Sequence, residues 1–315
     1  MSRLRRLAIN LLVGMGAIVM LCLVLEVVLA VAKINIRSNY AFDLEKGITF
    51  VPAAYYVNRK EGFSEGYFNS HGFRDSERTW EKAPNTYRIL VLGDSYVEAL
   101  QVPLELAFPA LLEAKLNGAS RSKRFEVLAL GQSGFGTTEE YMRYLNYGVR
   151  YSPDIVILAF MTWNDFRENS KVLNLEKIVF YFVPDEHGEL VLDRSTLDNY
   201  GKQETTLLRR LYRTIKRHSY LASLISERAY LLREAVKEKR FKQTHENSNA
   251  QGSGLDELSH LNIYLPEPTP RWKEAWAITE KVLLKFARTA SPSTSSSPTG
   301  ACGSSRRSTA SSPSA

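Results

Sequence analysis

Cysteine is nearly absent from this chain, which has only Cys22 and Cys302 among its 315 residues. One lies in a long apolar run and the other in a tail rich in serine and proline, so the sequence predicts no disulfide framework. No cysteine or histidine spacing suits a zinc site, and no glycine-rich loop suits a nucleotide. We therefore expect neither a metal nor a cofactor.

The chain also lacks an excess of basic residues spread evenly along its length, although the formal net charge is +7. Residues 202–243 carry 12 basic and 4 acidic side chains, so the excess is concentrated in one segment. A nucleic-acid-binding domain shows a broad basic surface, and we expect no nucleic-acid partner. The hydrophobic fraction of 44% and the charged fraction of 24% are typical of a globular chain and exclude wholesale disorder.

The N-terminus has the pattern of a membrane anchor. Residues 1–6 include three arginines, and residues 7–32 form an apolar run interrupted only by Asn10 and Glu26. At about 1.5 Å per residue, a helix of this length crosses a hydrocarbon layer of ~30 Å. Basic residues before a span stay in the cytoplasm. We therefore expect a single-pass cell-membrane protein whose C-terminal bulk is extracytoplasmic, either periplasmic or extracellular.

Two other interpretations of the apolar run are open. Residues 30–32 (Ala-Val-Ala) fit the small-residue site of a cleaved signal peptide. We favour an uncleaved anchor because the run is longer than the usual signal core of about 7–15 residues. The remaining interpretation is a buried core helix.

The rest of the chain divides by composition. Residues 33–85 form an irregular, aromatic-rich region that leads into the main domain, residues 86–288, which holds an insertion at about 171–265. Residues 289–315 are a tail rich in serine, threonine, proline and alanine. Such a composition cannot bury a core and predicts disorder.

Three short apolar runs in the main domain predict its fold class. Each is followed by a helical pattern or a polar loop, and the runs are Arg88–Gly93, Phe125–Leu130 and Asp154–Phe160. Strands that are apolar throughout and alternate with helices indicate a parallel sheet covered on both faces. The sequence therefore predicts an α/β fold.

The insertion and the segment after it combine several elements. We predict a strand pair that turns at residues 185–188, one or two basic helices within residues 204–242, and a further helix over Trp272–Arg288. The basic helices have three interpretations: contact with anionic lipid headgroups, a lid over the active site, or a solvated helix whose apolar face packs on the sheet. We favour the last of these.

Polar residues follow each of the three apolar runs. The first run leads to Ser95, the second to the loop 131–136 with Gly134, and the third to Asn164. In an open parallel sheet, ligands bind where the carboxyl ends of the strands meet loops. A serine at a strand-to-helix turn exposes its hydroxyl, so Ser95 is the candidate nucleophile. Trp163 either lines the pocket or is a structural aromatic residue.

Three groups around this serine are candidate donors to an oxyanion. They are the Ser95 N–H, the Gly134 N–H and the side-chain amide of Asn164. Glycine suits the second position because it has no Cβ to obstruct close approach. We expect Asp94 to form a hydrogen bond within its turn and Asp165 to fix its own loop, rather than to act as catalytic acids.

These blocks, in this order, resemble the SGNH (GDSL-type) hydrolases: Gly93-Asp94-Ser95, then Gly134, then Asn164-Asp165. Residues 69–75 (NSHGFRD) resemble a segment common in membrane-anchored bacterial members. The resemblance covers about residues 66–170 closely and 265–288 loosely. It implies a flavodoxin-like three-layer α/β/α fold. It also implies ester hydrolysis through an acyl-enzyme, or acyl transfer, by a Ser–His–Asp arrangement without a metal.

The last block of that family, Asp-x-x-His near the C-terminus, is absent, so the general base and its aspartate are unknown. Without a base, a serine hydroxyl is a poor nucleophile. Five histidines are candidates, although a surface or structural role is simpler for each: His71, His187, His218, His245 and His260. We place His71 and His187 first among them.

The helical pattern before the tail stops at Arg288, and no large apolar side chain follows. The three predicted strands are fewer than a complete sheet of this fold would contain. We therefore expect the SGNH fold to be truncated near Arg288, through a shifted reading frame or a shortened gene. The alternative is a genuine disordered tail, either wall-spanning or glycosylated.

The sequence predicts a membrane-anchored serine hydrolase that cleaves carboxylic esters. Its substrate is expected to be an ester, such as an acylated cell-envelope glycan or lipid. One alternative is a cell-envelope polysaccharide O-acyltransferase that uses the same serine. Another is a catalytically inactive carbohydrate-binding or relic protein, because the general base is missing.

Overall fold

The computed structural model describes residues 3–32, 39–59, 61–162, 164–245, 258–266 and 268–291. Trp163, nearly all of the tail 289–315 and the linker after His245 lie outside the described residues. The expectations for those segments stay predictions.

Short strands and helices alternate along the chain. The described strands are β1 (Tyr40–Asp43), β2 (Gly47–Phe50), β3 (Tyr55–Asn58), β4 (Ser64–Tyr67), β5 (Thr86–Gly93), β6 (Arg124–Gly131), β7 (Ile155–Ala159), β8 (Tyr181–Pro184) and β9 (Leu190–Asp193). The described α-helices are α1 (Arg3–Val31), α2 (Ser95–Glu98), α3 (Phe108–Ala119), α4 (Thr137–Asn146), α5 (Asp165–Asn169), α6 (Ser195–Glu204), α7 (Leu207–His218), α8 (Tyr220–His245) and α9 (Pro270–Ala290). Short 3-10 helices include Leu104–Leu106, Gly148–Tyr151 and His260–Tyr264.

A parallel three-stranded sheet in the order β6-β5-β7 forms the centre of the domain. Successive side chains of a strand point to opposite faces, and here both faces are covered. On one face Leu90 and Leu128 pack with residues of α4 and α9, and on the other Val91 and Val127 pack with Leu112 of α3. The predicted α/β class and the parallel sheet are therefore confirmed.

Strand β7 is an open edge of this sheet. Among the described strands it pairs only with β5, where Gly93 lies opposite Ala159. Ile155 and Ile157 of β7 are 42% and 37% exposed, whereas Leu90 of β5 is completely buried. The outer side of β7 thus presents main-chain groups that no described strand pairs.

A chain of hydrogen bonds joins the helices α4, α5 and α9. The Thr138 N–H donates to Asn169 Oδ1 at 2.9 Å, and Asn169 Nδ2 donates to Thr279 Oγ1 at 2.9 Å. All three residues are buried, where an unpaired amide would be costly. The predicted helix Trp272–Arg288 is confirmed as part of α9.

We expected an irregular region ahead of the domain, and this expectation is wrong. The region holds two antiparallel strand pairs, β1–β2 and β3–β4. Aromatic residues pair across these strands: the ring centroids of Tyr40 and Phe50 are 5.2 Å apart. Phe50 also stacks on Phe68 at 4.2 Å. Each strand has only four residues, so no alternating pattern stands out in the sequence.

The insertion contains the expected strand pair, β8–β9, but one other expectation is wrong. The apolar side of α7 does not pack on the sheet, since Leu207 and Leu208 are 81% and 80% exposed. Helix α7 packs instead on α6 and α8. An amphipathic pattern shows only that one side prefers apolar surroundings, so it does not identify what covers that side.

Helix α1 is long and apolar enough to cross a membrane. The most apolar 18-residue stretch within Arg5–Val31 has a mean hydropathy of 2.7, and this stretch is not buried in the protein. The interpretation of this segment as a buried core helix is therefore wrong. Glu26 accepts hydrogen bonds from the Ser219 hydroxyl at 2.9 Å and from the Tyr220 N–H at 2.6 Å, at the start of α8.

Helix α2 is pressed so closely against β6 that we expect Gly131→Ala to destabilise the protein. An added Cβ would lie 2.4 Å from the Glu98 nitrogen and 2.6 Å from the Val97 Cβ. The free energy of unfolding should fall by about 1–3 kcal/mol, the usual cost of overpacking. Chemical denaturation of the detergent-solubilised chain measures this difference.

The matched control is Gly118→Ala in α3, where an added Cβ meets nothing within 4 Å. Alanine has the higher helix propensity, so this variant should be unchanged or more stable by up to about 1 kcal/mol. Equal stability of the two variants would contradict the close approach of α2 to β6.

Candidate active site

The candidate nucleophile lies in a tight turn between β5 and α2. Asp94 caps α2, because its Oδ1 accepts a hydrogen bond from the Tyr96 N–H at 3.0 Å. This contact confirms the expected turn role of Asp94. Ser95 is the first residue of α2 and is partly exposed. No described residue forms a hydrogen bond with the Ser95 hydroxyl, which is therefore available to a substrate.

A buried guanidinium fixes the other end of α2. Arg74 is 2% exposed, and its Nη1 donates to the carbonyl oxygens of Glu98 and Ala99 at 2.9 and 2.8 Å. Its Nε donates to the Tyr56 hydroxyl at 2.8 Å. The last carbonyls of a helix lack partners within the helix, and these bonds satisfy them. Arg74 therefore positions the Ser95 turn.

Glu98 joins α2 to the loop that contains Gly134. Its Oε2 accepts hydrogen bonds from the Ser133 N–H, at 2.6 Å, and from the Ser133 hydroxyl. Gly134 follows with a φ of +79°, a left-handed conformation that glycine adopts without strain. Gly134 is exposed, and no described residue accepts a hydrogen bond from its N–H. One carboxylate thus ties together the segments that carry Ser95 and Gly134.

The same loop is also held by a cation from α4. The Nη2 of Arg143 donates to Gln132 Oε1 at 2.5 Å, and Gln132 Nε2 donates to the Ile48 carbonyl oxygen at 3.1 Å. The Arg143 guanidinium lies 4.4 Å from the ring centroid of Phe135. Burial lowers the pKa of Arg143 to about 10, so it stays charged at neutral pH.

Asn164 lies beside the Ser95 turn, as the sequence predicts. Its Nδ2 donates to Asp94 Oδ2 at 3.1 Å and to Glu168 Oε2 at 2.9 Å. A side-chain amide nitrogen carries two N–H groups, and here both point to carboxylates. An oxyanion would have to displace one of these two bonds to reach the Asn164 amide.

Ser95 and Asn164 line one cleft with a volume of about 460 Å³. The side chains around them carry both signs of charge, and the remaining lining residues are Asp94, Tyr96, Met161, Arg167, Glu168 and Lys177. Gly134 is not among the lining residues, although Glu98 ties its loop to α2. The volume falls within the range of about 300–1,000 Å³ that is usual for small-molecule sites.

Buried carboxyl groups accumulate around the cleft. Burial raises the pKa of Glu168 to about 7, although Lys177 attracts its charged form. Burial also raises the pKa of Asp165 to about 8, and the nearby charges of Asp94 and Glu168 add to the shift. Glu140 is completely buried with neither oxygen hydrogen-bonded, and burial raises its pKa well above the usual value. Some of these carboxyl groups are therefore protonated and neutral at neutral pH.

Asp165 fixes its own loop, as expected. Its Oδ2 accepts a hydrogen bond from the Met161 N–H at 2.7 Å, while its Oδ1 has no hydrogen-bond partner. Within the described part of the chain, no group of three or more histidine, cysteine, aspartate or glutamate side chains is placed to hold a metal ion.

The first candidate base, His71, lies in a different place from Ser95. Its ring stacks on Trp80 with centroids 3.9 Å apart, and its Nδ1 lies 2.5 Å from the Tyr151 hydroxyl. His71 lines a separate cleft with Glu77, and that cleft shares no lining residue with the Ser95 cleft. Tyr151 precedes β7, so His71 is near the amino ends of the strands, whereas Ser95 follows a carboxyl end.

Two of the other histidines, His187 and His218, have described side chains, and neither is among the residues that line the Ser95 cleft. His187 is exposed in the turn between β8 and β9, where its backbone N–H donates to Asp185 Oδ1 at 2.9 Å. His218 is exposed at the end of α7. His245 ends α8, and His260 begins a 3-10 helix. The side chains of His245 and His260 lie outside the described residues, and none of the three described histidine side chains lines the cleft that contains Ser95.

Sequence reasoning missed two acidic residues of the site, although both had a positional signal. Glu98 follows Ser95 by three residues and Glu168 follows Asn164 by four, which is one helical turn in each case. Such spacing returns the side chain to the face of the helix on which the candidate residue lies. The role of Arg74 had no local signal beyond its place in the segment 69–75.

In comparisons with known proteins, no protein-family model matches the chain and no curated protein matches it. The resemblance to SGNH hydrolases therefore depends on the residues and contacts described above.

The buried carboxyl of Asp165 predicts a pH-dependent stability. In the folded protein its pKa is about 8, whereas an unfolded chain releases this proton near pH 4. The folded state thus binds more protons between these values, so the free energy of unfolding should fall as the pH rises from 4 to about 8. We expect Asp165→Asn to flatten this slope, because the amide oxygen can still accept from the Met161 N–H.

Denaturation of the full chain in detergent at pH 5, 6, 7 and 8 measures the slope. Asp154→Asn is the matched control. Although burial opposes it, hydrogen bonds from Lys82 and the Arg88 N–H lower the pKa of Asp154, so its titration lies below this pH range. An Asp165→Asn slope identical to that of the unmodified protein would contradict the assignment.

Proposed function

We propose that this chain is a serine hydrolase of the SGNH type that cleaves carboxylic esters. Ser95 Oγ would attack the ester carbonyl, forming an acyl-enzyme, and the alcohol would leave with a proton. Water would then attack the acyl-enzyme, releasing the carboxylic acid and restoring the serine hydroxyl. The observation that carries the proposal is the cleft in which the available Ser95 hydroxyl and Asn164 lie together at the carboxyl edge of the sheet.

The strand order supports the proposed fold family. In chain order β5, β6 and β7 are the first, second and third strands of the sheet, and their spatial order is second, first, third. Flavodoxin-like sheets begin with this order, and their ligands bind at the switch point between the first and third strands. Here that point lies between the end of β5, which leads to Ser95, and the end of β7, which leads to Asn164.

The oxyanion would be held by the N–H groups of Ser95 and Gly134 and by the Asn164 amide. In the described structure, one N–H of that amide donates a hydrogen bond to Glu168 Oε2. A proton on Glu168 weakens this hydrogen bond, because a neutral carboxyl is a poorer acceptor than a carboxylate. We include Glu168 in the proposal as the proton acceptor for Ser95, because both residues line the same cleft. Taking up the serine proton would loosen Asn164 as the oxyanion develops.

We further propose that α1 anchors the chain in the cell membrane, with the domain on the extracytoplasmic side. Arginines at the start of α1 and the exposed apolar surface of this helix support the orientation and the anchoring. An ester carried by a cell-envelope glycan or lipid would then lie within reach of the cleft. With a sugar hydroxyl in place of water as the acceptor, the same acyl-enzyme would give an O-acyltransferase.

The serine is tested by covalent labelling. A fluorophosphonate probe should label the folded full chain, and Ser95→Ala should abolish the label together with the hydrolysis of short-chain aryl esters. Ser70→Ala is the matched control, because this serine lines the other cleft and its hydroxyl donates to Glu77. Labelling of the folded protein that persists in Ser95→Ala would reject Ser95 as the nucleophile. No labelling at all would favour the inactive, carbohydrate-binding alternative.

The proposed base predicts a pH–rate profile. Glu168 accepts a proton only when ionised, so hydrolysis should accelerate as the pH rises through about 7, the pKa of Glu168. Removing a general base costs about 10²–10⁴ in rate, and we expect a loss of this size in kcat for Glu168→Gln, with the pH dependence near 7 abolished. Glu77→Gln, in the other cleft, should leave both unchanged. A Glu168→Gln variant with the original profile would exclude Glu168 as the base.

A further inference from the structure

Helix α7 has one apolar side and one basic side. The apolar residues recur at the spacing of a helix face and are Leu207, Leu208, Leu211, Tyr212 and Ile215, all of them exposed. The basic residues fill the intervening positions: Arg209, Arg210, Arg213, Lys216 and Arg217. The helix contains no acidic residue. This combination is typical of helices that lie in the interface of a membrane.

The apolar side of α7 is not covered by the described part of the protein. Leu207 and Leu208 are 81% and 80% exposed, and Leu211 is 56% exposed. Contiguous apolar surface of this kind marks a place where a soluble domain meets a partner or a membrane. The question is therefore which apolar surroundings α7 meets.

The contact between α8 and α1 identifies those surroundings. Glu26 of α1 accepts hydrogen bonds from the Ser219 hydroxyl and from the N–H groups of Tyr220 and Leu221. Glu26 thus caps the start of α8, directly after α7 ends at His218. Because Glu26 lies six residues before the end of the apolar run at Ala32, the junction of α7 and α8 lies beside the C-terminal end of that run.

The surface continues from α7 onto α8. Ile225 and Leu232 are separated by seven residues, which places them on the same side of the helix, and they are 61% and 67% exposed. Towards its other end α8 packs on the domain: the Arg271 guanidinium lies 5.5 Å from the ring centroid of Phe241. Helix α8 therefore connects the end of α1 with the part of the domain that contains α9.

We propose that α7 and the first turns of α8 lie in the headgroup region of an anionic phospholipid bilayer, on the side of the membrane where the domain lies. The apolar side of α7 would enter the acyl boundary, and its arginines would contact lipid phosphates. The proposal rests on the anchoring by α1 proposed above. Its own support is the continuity of the exposed apolar side with the end of α1, and the charge complementarity between the helix and anionic lipid.

The test uses the full chain reconstituted in vesicles of zwitterionic and anionic phospholipid at a ratio of three to one. In a background with Cys22→Ser and Cys302→Ser, a single cysteine replaces either Leu208 or Arg210, two exposed positions on opposite sides of α7. Each cysteine receives a nitroxide label. Its collisions with oxygen, which concentrates in lipid, and with a water-soluble nickel complex are measured by spin resonance.

We expect the Leu208→Cys label to collide mainly with oxygen, at a depth of about 5–10 Å as for other interfacial helices. The Arg210→Cys label should collide mainly with nickel. Vesicles without anionic lipid should shift the Leu208→Cys label towards nickel, because their surface has no net negative charge to attract the arginines.

Three results would overturn the proposal. Equal nickel accessibility of the two labels would show that α7 is solvated, and a Leu208→Cys label protected from both reagents would show that protein covers it, as a lid or a second copy. Failure of the chain to float with the vesicles would reject the anchoring on which the proposal rests. Fluorophosphonate labelling of Ser95 in the same samples separates all these results from a failure of the proposed hydrolase activity.

Discussion

Because the Arg74 guanidinium donates to the carbonyl oxygens that end α2, the position of the serine turn is set by the segment that precedes the sheet. A buried guanidinium is costly unless its donors are satisfied, and carbonyl oxygens and the Tyr56 hydroxyl satisfy them here. The glycines at the ends of β5 and β6 let α2 approach closely enough for this arrangement. The strand pairs before the domain thus help to position the site, because Tyr56 of β3 contacts Arg74 and the Ile48 carbonyl oxygen of β2 contacts Gln132.

Negative charge is the second constraint on the site. Asp94, Glu168 and Asp165 surround the Asn164 loop, and hydrogen bonds from a side-chain amide and a backbone N–H satisfy some of their oxygens. Burial makes complete ionisation of such a group unfavourable, so the protonation state of one carboxyl affects the next. In the proposed function, a nucleophile beside this cluster would exchange its proton with the neighbouring carboxyl groups. This coupling offers an alternative to the histidine that the family resemblance implies.

The sequence was sufficient for the centre of the fold and insufficient for what surrounds it. Strands β5, β6 and β7 were predictable because each is a short apolar run, and Ser95 and Asn164 follow the ends of two such runs. The paired strands before the domain were missed because four-residue strands carry no periodic signal. The contacts of Arg74 and Glu98 join segments distant in the chain, and no local pattern encodes them. For α7, the pattern identified an apolar side correctly but assigned it to the sheet.

The three hydrogen bonds between Glu26 and the start of α8 have a consequence for orientation. A simple tether limits only the distance between a domain and its attachment point, and the domain is then able to face any direction. Here the capped helix couples the rotation of α1 about its axis to the rotation of α8. The Ser95 cleft therefore opens in a fixed direction around the axis of α1. In the proposed membrane-anchored hydrolase, this direction would determine the side from which a substrate could enter.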